Sequence, residues 1–308
     1  MRTFRWFALP IAVAALVGNA DLAMAKLMIA PSPPAQRAIM AETVVVGKVT
    51  GFEKDLVQAA PYPGAKEKVG FKIAIIKIET GLIGAEKLKE VKIGFIPPPK
   101  VDPNAKQPGG IRIGGGPRRF GFDLQEGQEL ILFLAKHPSG EFYTIPGGTM
   151  PVDMKSGDQA KKDLESVKQV AAILADPMKS LKSEKPEARA EAATVIVLKH
   201  RAYPMNGGEV DQLAIGADES KLLLKALTEG NWSSMNHRFD APPGPLQAFQ
   251  ALGLNAKDGW IQPVIVNTPG APLADYGSIQ KDAFMKWLEG PGKEYKIKKM
   301  VPKAAPQK

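Results

Sequence analysis

The sequence predicts an α+β protein in which a small antiparallel β-barrel is followed by a helical region. Two observations predict this order. Apolar residues recur with the period of strands over residues 42–150, and with the period of helices from Ser156 onward. Polar residues intervene over 151–157, where we place the boundary. A chain of 308 residues is long enough for one large or two ordinary domains.

Five strands are predicted in the first half. They cover residues 44–49, 71–76, 91–95, 130–134 and 142–145. Turn signals such as Gly81 and Gly84 separate them, and a long loop rich in Pro and Gly precedes the fourth. Short strands joined in this way are typical of a small antiparallel barrel or a sandwich.

Five helices are predicted in the second half. The first begins at a capping box formed by Ser156 and Gln159 and ends before Pro177. The others follow Pro186 or cover residues 219–228, 245–252 and 279–288, where Ser278 is the expected cap of the last. Their starts recur about every thirty residues, as in solenoid repeats. The segments share no motif, so the sequence leaves open whether this half is a repeat array.

The first 25 residues have the charged, apolar and small-residue segments of a secretory signal peptide, in that order. Arg2 and Arg5 precede an apolar run over 6–17, which small residues follow. Cleavage is predicted after Ala25 or Ala20. We therefore expect a protein exported to the periplasm or the cell exterior, with no transmembrane segment after cleavage because no later apolar run is long enough.

Composition narrows the classes of protein further. The formal charge is +9 and there is no cysteine, which excludes disulfide scaffolds, thiolate metal sites and cysteine nucleophiles. Six lysines against Glu294 make the C-terminus basic. The predicted division is a signal peptide over 1–25, an N-terminal linker over 26–40, a β-barrel domain over 41–154, a helical domain over 155–290 and a basic disordered tail over 291–308.

The succession of predicted strands and loops in the first half resembles that of a known protein family. Residues 42–51 read E-T-V-V-V-G-K-V-T-G, residues 124–134 read L-Q-E-G-Q-E-L-I-L-F-L, and a strand at Tyr143 closes the segment. This resembles the netrin-like OB-fold modules that include the tissue inhibitors of metalloproteinases and similar modules of secreted bacterial proteins. The resemblance covers residues 41–150 and implies an OB-type barrel with a binding role. Those inhibitors use an N-terminal cysteine on the metal, so metalloprotease inhibition is not implied for a cysteine-free chain.

No catalytic residue, metal site or cofactor is predicted. The chain has only three histidines, His137, His200 and His237, and lacks the spacing His-Glu-x-x-His. The spacing Gly-x-Ser-x-Gly is absent. The tryptophans of the second half are expected to pack between helices, with a carbohydrate platform as the alternative.

Two basic segments are the candidate binding sites. Arg112, Arg118 and Arg119 lie in a glycine-rich loop where backbone amides and guanidinium groups can approach an anion; the alternative is a flexible connection with solvated arginines. The C-terminal segment supplies the other candidates, Lys296, Lys298 and Lys299.

The predicted function is therefore exported, non-enzymatic binding of a protein partner or an acidic polymer of the cell envelope. Specific nucleic-acid binding is not expected, since aromatic and basic residues are not interleaved. Two alternatives stay open, a secreted hydrolase with an unrecognised acid pair and a structural component of the envelope.

Overall fold

The computed structural model describes residues 32–97, 123–147, 149–233, 241–265 and 274–303. Within them the chain is mixed α and β, with a large N-terminal sheet and helices concentrated in the C-terminal half. The predicted α+β class is confirmed. The predicted signal peptide and the arginine-rich loop lie outside the described residues.

Seven strands of the first half form one sheet. They are β1 (Thr43–Phe52), β2 (Val57–Ala59), β3 (Val69–Ile83), β4 (Glu90–Phe95), β5 (Glu129–Lys136), β6 (Tyr143–Thr144) and β7 (Val152–Asp153). The pairings run from β1 through β3, β4, β6 and β5 back to β1, so the sheet is partly ring-like. β2 and β7 add to β3 and β5. The predicted antiparallel arrangement is wrong at one pair, because β4 and β6 are parallel.

The strands β1 and β5 are buried on both faces. In β1, Val44 packs with the helices, whereas Val45 packs with the residues enclosed by the ring. In β5, Ile131 and Leu132 divide in the same way. Successive side chains of a strand point to opposite faces, so a strand covered on both sides needs a continuous apolar run.

Seven helices occur in the described residues. They are α1 (Pro34–Met40), α2 (Asp158–Ala175), α3 (Pro177–Leu181), α4 (Pro186–Arg201), α5 (Ala217–Thr228), α6 (Pro245–Leu252) and α7 (Tyr276–Glu289). Short 3-10 helices cover Met154–Ser156, Ala256–Asp258 and Pro291–Glu294. The five predicted helices are confirmed as α2, α4, α5, α6 and α7, whereas α1 and α3 were not predicted.

Two of the predicted helix caps are wrong. Ser156 belongs to a 3-10 helix, and Gly157, which has no side chain to cap with, precedes α2. Ser278 lies inside α7, whose cap is Asp275; Ser278 Oγ donates to Asp275 Oδ2 over 2.7 Å. In both cases the cap lies one to three residues away from the predicted serine, a shift that a spacing rule does not resolve.

The prediction of a linker over 26–40 is wrong from Pro34 onward. Residues 34–40 form α1, whose Ala35, Ala38 and Ile39 are buried in the core shared with the helices. The spacing of three and four residues places these side chains on one face. A single apolar stripe of less than two turns was too short to identify as a helix.

The predicted disordered tail is also wrong for residues 291–303. The strand β9 (Lys298–Pro302) pairs antiparallel with β8 (Val210–Ala214) in a separate two-stranded sheet. Ile297 and Met300 are buried, and Lys303 Nζ donates to Glu209 Oε2 over 2.9 Å. Lysines dominate the composition of residues 291–303, but the buried apolar residues between them hold this segment against the rest of the protein. Residues 304–308 lie outside the described residues.

One core joins the strands to the helices. α4 runs through it, with every residue from Ala192 to Val197 buried. Trp232, Trp260 and Trp287 are buried among α5, α6 and α7, as predicted, and Trp232 Nε1 donates to the Leu227 carbonyl oxygen over 2.8 Å. Whether residues 41–154 fold as a domain of their own stays a prediction.

Candidate functional site

A cavity of about 450 Å³ lies between the sheet and the helices. We call it the junction cavity. Residues from the end of α1, the segment before β1, the end of β3, the C-terminal turn of α4 and β9 line it. Its volume falls within the range of about 300–1,000 Å³ that is usual for small-molecule sites. The walls are largely apolar and are built from Met40, Ile83, Leu174, Ile196, Met205 and Met300.

Local structure explains why α4 contributes charged groups here. Ile196, Lys199 and His200 are spaced by three and four residues, so they share the face of α4 that borders the cavity. Residues 192–198, the two preceding turns of α4, are apolar except for Thr194 because they cross the core. The first basic side chains after the core therefore lie at its edge, partly buried.

Lys199 is the most enclosed cation of the cavity. Its Nζ donates to the carbonyl oxygen of Ala41 over 2.7 Å. Burial lowers the pKa of the Lys199 ammonium, while Glu42 raises this pKa in part and Lys299 lowers it further. An anion placed beside Lys199 would relieve this burial cost, since it favours the charged form.

The imidazole of His200 is buried without a hydrogen bond to offset the loss of solvation. Both ring nitrogens are buried without a hydrogen-bond partner, and Nε2 lies 3.6 Å from Glu219 Oε1, which is too long for a hydrogen bond. Burial lowers the pKa of His200; Glu219 raises it in part, and Lys299 lowers it. The imidazole is thus neutral at neutral pH and has unused hydrogen-bonding capacity.

Glu42 is the carboxylate that lines the junction cavity. Its Oε2 accepts a hydrogen bond from the backbone N–H of Lys136 over 2.9 Å, which holds the side chain against β5. Two lysines, Lys199 and Lys299, line the cavity together with this single acid. The cavity therefore combines apolar walls with a positive excess, which suits an anion that has an apolar body.

The structure separates the predicted C-terminal site residues. Lys299 lines the junction cavity. Lys296 and Lys298 instead line an open depression of about 440 Å³, together with Lys257 and Tyr295. Arg112, Arg118 and Arg119 lie outside the described residues.

Sequence reasoning missed Glu42, Lys199 and His200. One signal was present, because Lys199 and His200 directly follow the apolar run of residues 195–198 within α4. Their proximity to Glu42 carries no local signal. Among the described residues, no group of three or more His, Cys, Asp and Glu side chains is arranged to hold a metal ion.

His137 has a different environment from His200. Its Nε2 lies 2.9 Å from the Ala60 carbonyl oxygen and its Nδ1 lies 2.9 Å from Ser139 Oγ. The ring stacks on Phe142 with centroids 4.4 Å apart. His137 therefore joins the turn before β6 to the segment after β2, which indicates a structural role.

No family model, curated protein or solved structure matches this chain. Among the helices that the structure describes, none is long and apolar enough to cross a membrane.

Proposed function

We propose that this chain is an exported, non-enzymatic binding protein that holds an anionic amphiphile in the junction cavity. The observation that carries the proposal is the pair Lys199 and Lys299 beside apolar walls, with Glu42 as their counter-charge in the cavity. A carboxylate or phosphate headgroup would accept hydrogen bonds from the two ammonium groups. The apolar body would lie among the methionines, which adapt readily to different ligand shapes.

The strand pairings support an OB-type barrel as the scaffold. Five strands, β1, β3, β4, β5 and β6, follow one another around the ring in an order that is not sequential. The OB-fold that the resemblance implies is a five-stranded, partly open Greek-key barrel, and the ring-like pairings support this part of the proposal. In this proposal the helices cover one side of the barrel, and the junction cavity lies where the two parts meet.

Export is the other part of the proposal. It rests on the charged, apolar and small-residue order of residues 1–25. Mass spectrometry of protein from the native host should find a mature start at Lys26 or Asp21. Mature protein that retains Met1 would contradict export without affecting the cavity.

Titration calorimetry with decanoate tests the ligand class. Decanoate should bind, whereas decyltrimethylammonium, with the same chain and the opposite charge, should not. Lys199→Met and Lys299→Met should each weaken binding about tenfold or more, the expected loss of a hydrogen bond between charged groups. Lys298→Met is the matched control, because Lys298 is the neighbour of Lys299 in β9 but does not line the junction cavity.

Two outcomes would contradict the proposal. Equal binding of the cationic amphiphile would show that charge does not select the ligand, and an equal effect of Lys298→Met would show that the cavity is not the site. Steady hydrolysis of p-nitrophenyl decanoate, abolished by Lys199→Met, would favour the hydrolase alternative.

A further inference from the structure

His200 gives the junction cavity a group whose charge can change near neutral pH. It lies in the C-terminal turn of α4 beside Lys199, and its side chain is 16% exposed. Both Nδ1 and Nε2 are buried without a hydrogen-bond partner. Histidine is the side chain whose ordinary pKa, about 6.5, lies nearest to neutrality. A fall in pH can therefore add a positive charge to the lining of the cavity at this residue.

Charged groups face His200 from α5 and β9. Glu219 of α5 lies nearest, with Oε1 3.6 Å from Nε2, and Lys299 belongs to β9. Burial holds the pKa of His200 below its ordinary value, and Lys299 acts in the same direction, against Glu219. The other titratable residues that line the cavity are Glu42, Lys199 and Tyr203. The lining residues from β3, α2 and α3 are uncharged and are Ile83, Leu174 and Pro177.

The geometry around Nε2 favours the protonated ring once the cost of burying the charge is offset. An imidazolium donates from both nitrogens, and the carboxylate of Glu219 is an acceptor for Nε2. A movement of less than about 1 Å would bring Nε2 and Oε1 to the distance of a charge-assisted hydrogen bond. Protonation would thus replace an unsatisfied nitrogen with a bonded one.

We propose that the junction cavity takes up a proton at His200 when it binds an anion, so that its affinity for the ligand rises as the pH falls below neutrality. The inference rests on the proposed function, since it requires an anion in the cavity. The bound anion would offset the repulsion from Lys299, and the imidazolium would attract the anion in return. Because linkage is reciprocal, the same interaction produces both effects.

The linkage acts in a defined pH window. Well above pH 6.5 the imidazole is neutral with and without ligand, so its titration does not affect affinity. At lower pH the complex binds a proton that the free chain, in which burial lowers the pKa of His200, does not yet bind. A unit charge about 12 Å away changes an affinity about tenfold at an effective dielectric constant of about 20, which sets the expected rise.

Titration calorimetry of the full chain with decyl sulfate measures this linkage. The sulfate ester stays ionised over the whole window, so the charge of the probe does not change. The affinity at about pH 5 should exceed that at about pH 7.5 by up to about tenfold. At about pH 6, two buffers of different ionisation enthalpy should give different apparent enthalpies, and the difference should correspond to net proton uptake.

Variants are compared by the ratio of their affinities at the two pH values, so that a general change in the cavity cancels. His200→Leu should lose most of the pH dependence and of the proton uptake. Glu219→Gln removes the carboxylate that favours the imidazolium and should move the rise to lower pH. Asp218→Asn is the matched control, because it removes the adjacent exposed carboxylate of α5 and should keep the ratio of the unmodified chain.

Nuclear magnetic resonance provides a second readout that does not depend on affinity. The signal of the His200 ring, identified by its loss in His200→Leu, should titrate at a higher pH when decyl sulfate is bound. An unchanged titration, or an affinity ratio that persists in His200→Leu, would overturn the linkage and leave the anion site in place. Failure of decyl sulfate to bind at either pH would overturn the proposed function, and this inference with it.

Discussion

The imidazole of His200 and the carboxylate of Glu219 lie 3.6 Å apart, from α4 to α5, without a hydrogen bond between them. The distance is short enough for Coulomb attraction but leaves both ring nitrogens unsatisfied. Burial therefore decides the charge state and lowers the pKa of His200, even though Glu219 favours the protonated form.

The first prediction concerns stability against pH. Because the pKa of His200 is lowered on folding, the unfolded chain binds the proton first as the pH falls below about 6.5. The free energy of unfolding should therefore fall with pH in the window between the unfolded pKa and the lowered folded pKa. Urea unfolding at about pH 7.5 and about pH 5 measures this loss.

Two variants isolate the contribution of His200. His200→Leu does not titrate and should lose less stability between the two pH values than the unmodified chain. Glu219→Gln removes the attraction that favours the imidazolium and should lose more. Equal losses in all three proteins would show that other groups control the acid response.

A second prediction concerns the packing of β4. A Cβ atom at Gly94 would lie 2.3 Å from the ring of Phe142, which is buried with Phe71 and Ile73. Gly94→Ala should therefore destabilise the chain by about 1–3 kcal/mol, the usual cost of overpacking a core. Thermal unfolding monitored by circular dichroism measures the change.

The control for Gly94 is another strand glycine. Nothing lies within 4 Å of a Cβ atom at Gly51 in β1, so Gly51→Ala should change stability by no more than about 0.5 kcal/mol. Adding Phe142→Leu to Gly94→Ala should recover part of the loss, because the smaller side chain makes room. No recovery would indicate that the backbone at Gly94, rather than the ring contact, is responsible.

The third prediction concerns acidic polymers. Lys257, Lys296 and Lys298 outnumber Asp258 and Glu294 in one open depression, and the excess positive charge should attract a polyanion through a field screened over about 8 Å at physiological salt. Lys296→Gln with Lys298→Gln should elute from heparin at lower salt than the unmodified chain. Substitution replaces deletion here, since removing the segment would also remove the buried Ile297 and Met300.

Two further double variants complete the heparin comparison. Arg118→Gln with Arg119→Gln tests the loop predicted as an anion site from the sequence. Lys66→Gln with Lys68→Gln removes the same charge elsewhere and should have the smaller effect. If all three elute together, retention reflects net charge and no local site.

A fourth prediction concerns the division of the chain. The fragment 41–154 should show β-rich circular dichroism and a cooperative transition, but at a lower midpoint than the full chain. The reason is that Ile131 and Phe133 lose the helices that cover them. The fragment 32–154, which retains α1 with its buried Ile39, should be more stable. Absence of a cooperative transition in both fragments would make the two halves one folding unit.

The sequence predicted most of the regular elements. α6 begins at Pro245 and ends before Gly253, and the structure shows both the proline in the first turn and the glycine in the left-handed region. Strands such as β5 were recognisable from uninterrupted apolar runs. Elements were missed where the local pattern is short or is masked by charge, as in α1 and in the lysine-rich β9.

The sequence by itself determined the class of fold, the succession of a mainly β half and a mainly helical half, and the absence of thiol chemistry, because each depends on local periodicity or on composition. Tertiary structure alone decided which charged groups meet. Lys199 bonds to Ala41 across 158 positions of sequence, and Lys299 reaches the same cavity only because β9 pairs with β8. The physical reason is that the pKa of a buried group and the charge of a cavity depend on neighbours in space. Spacing along the chain does not record such neighbours.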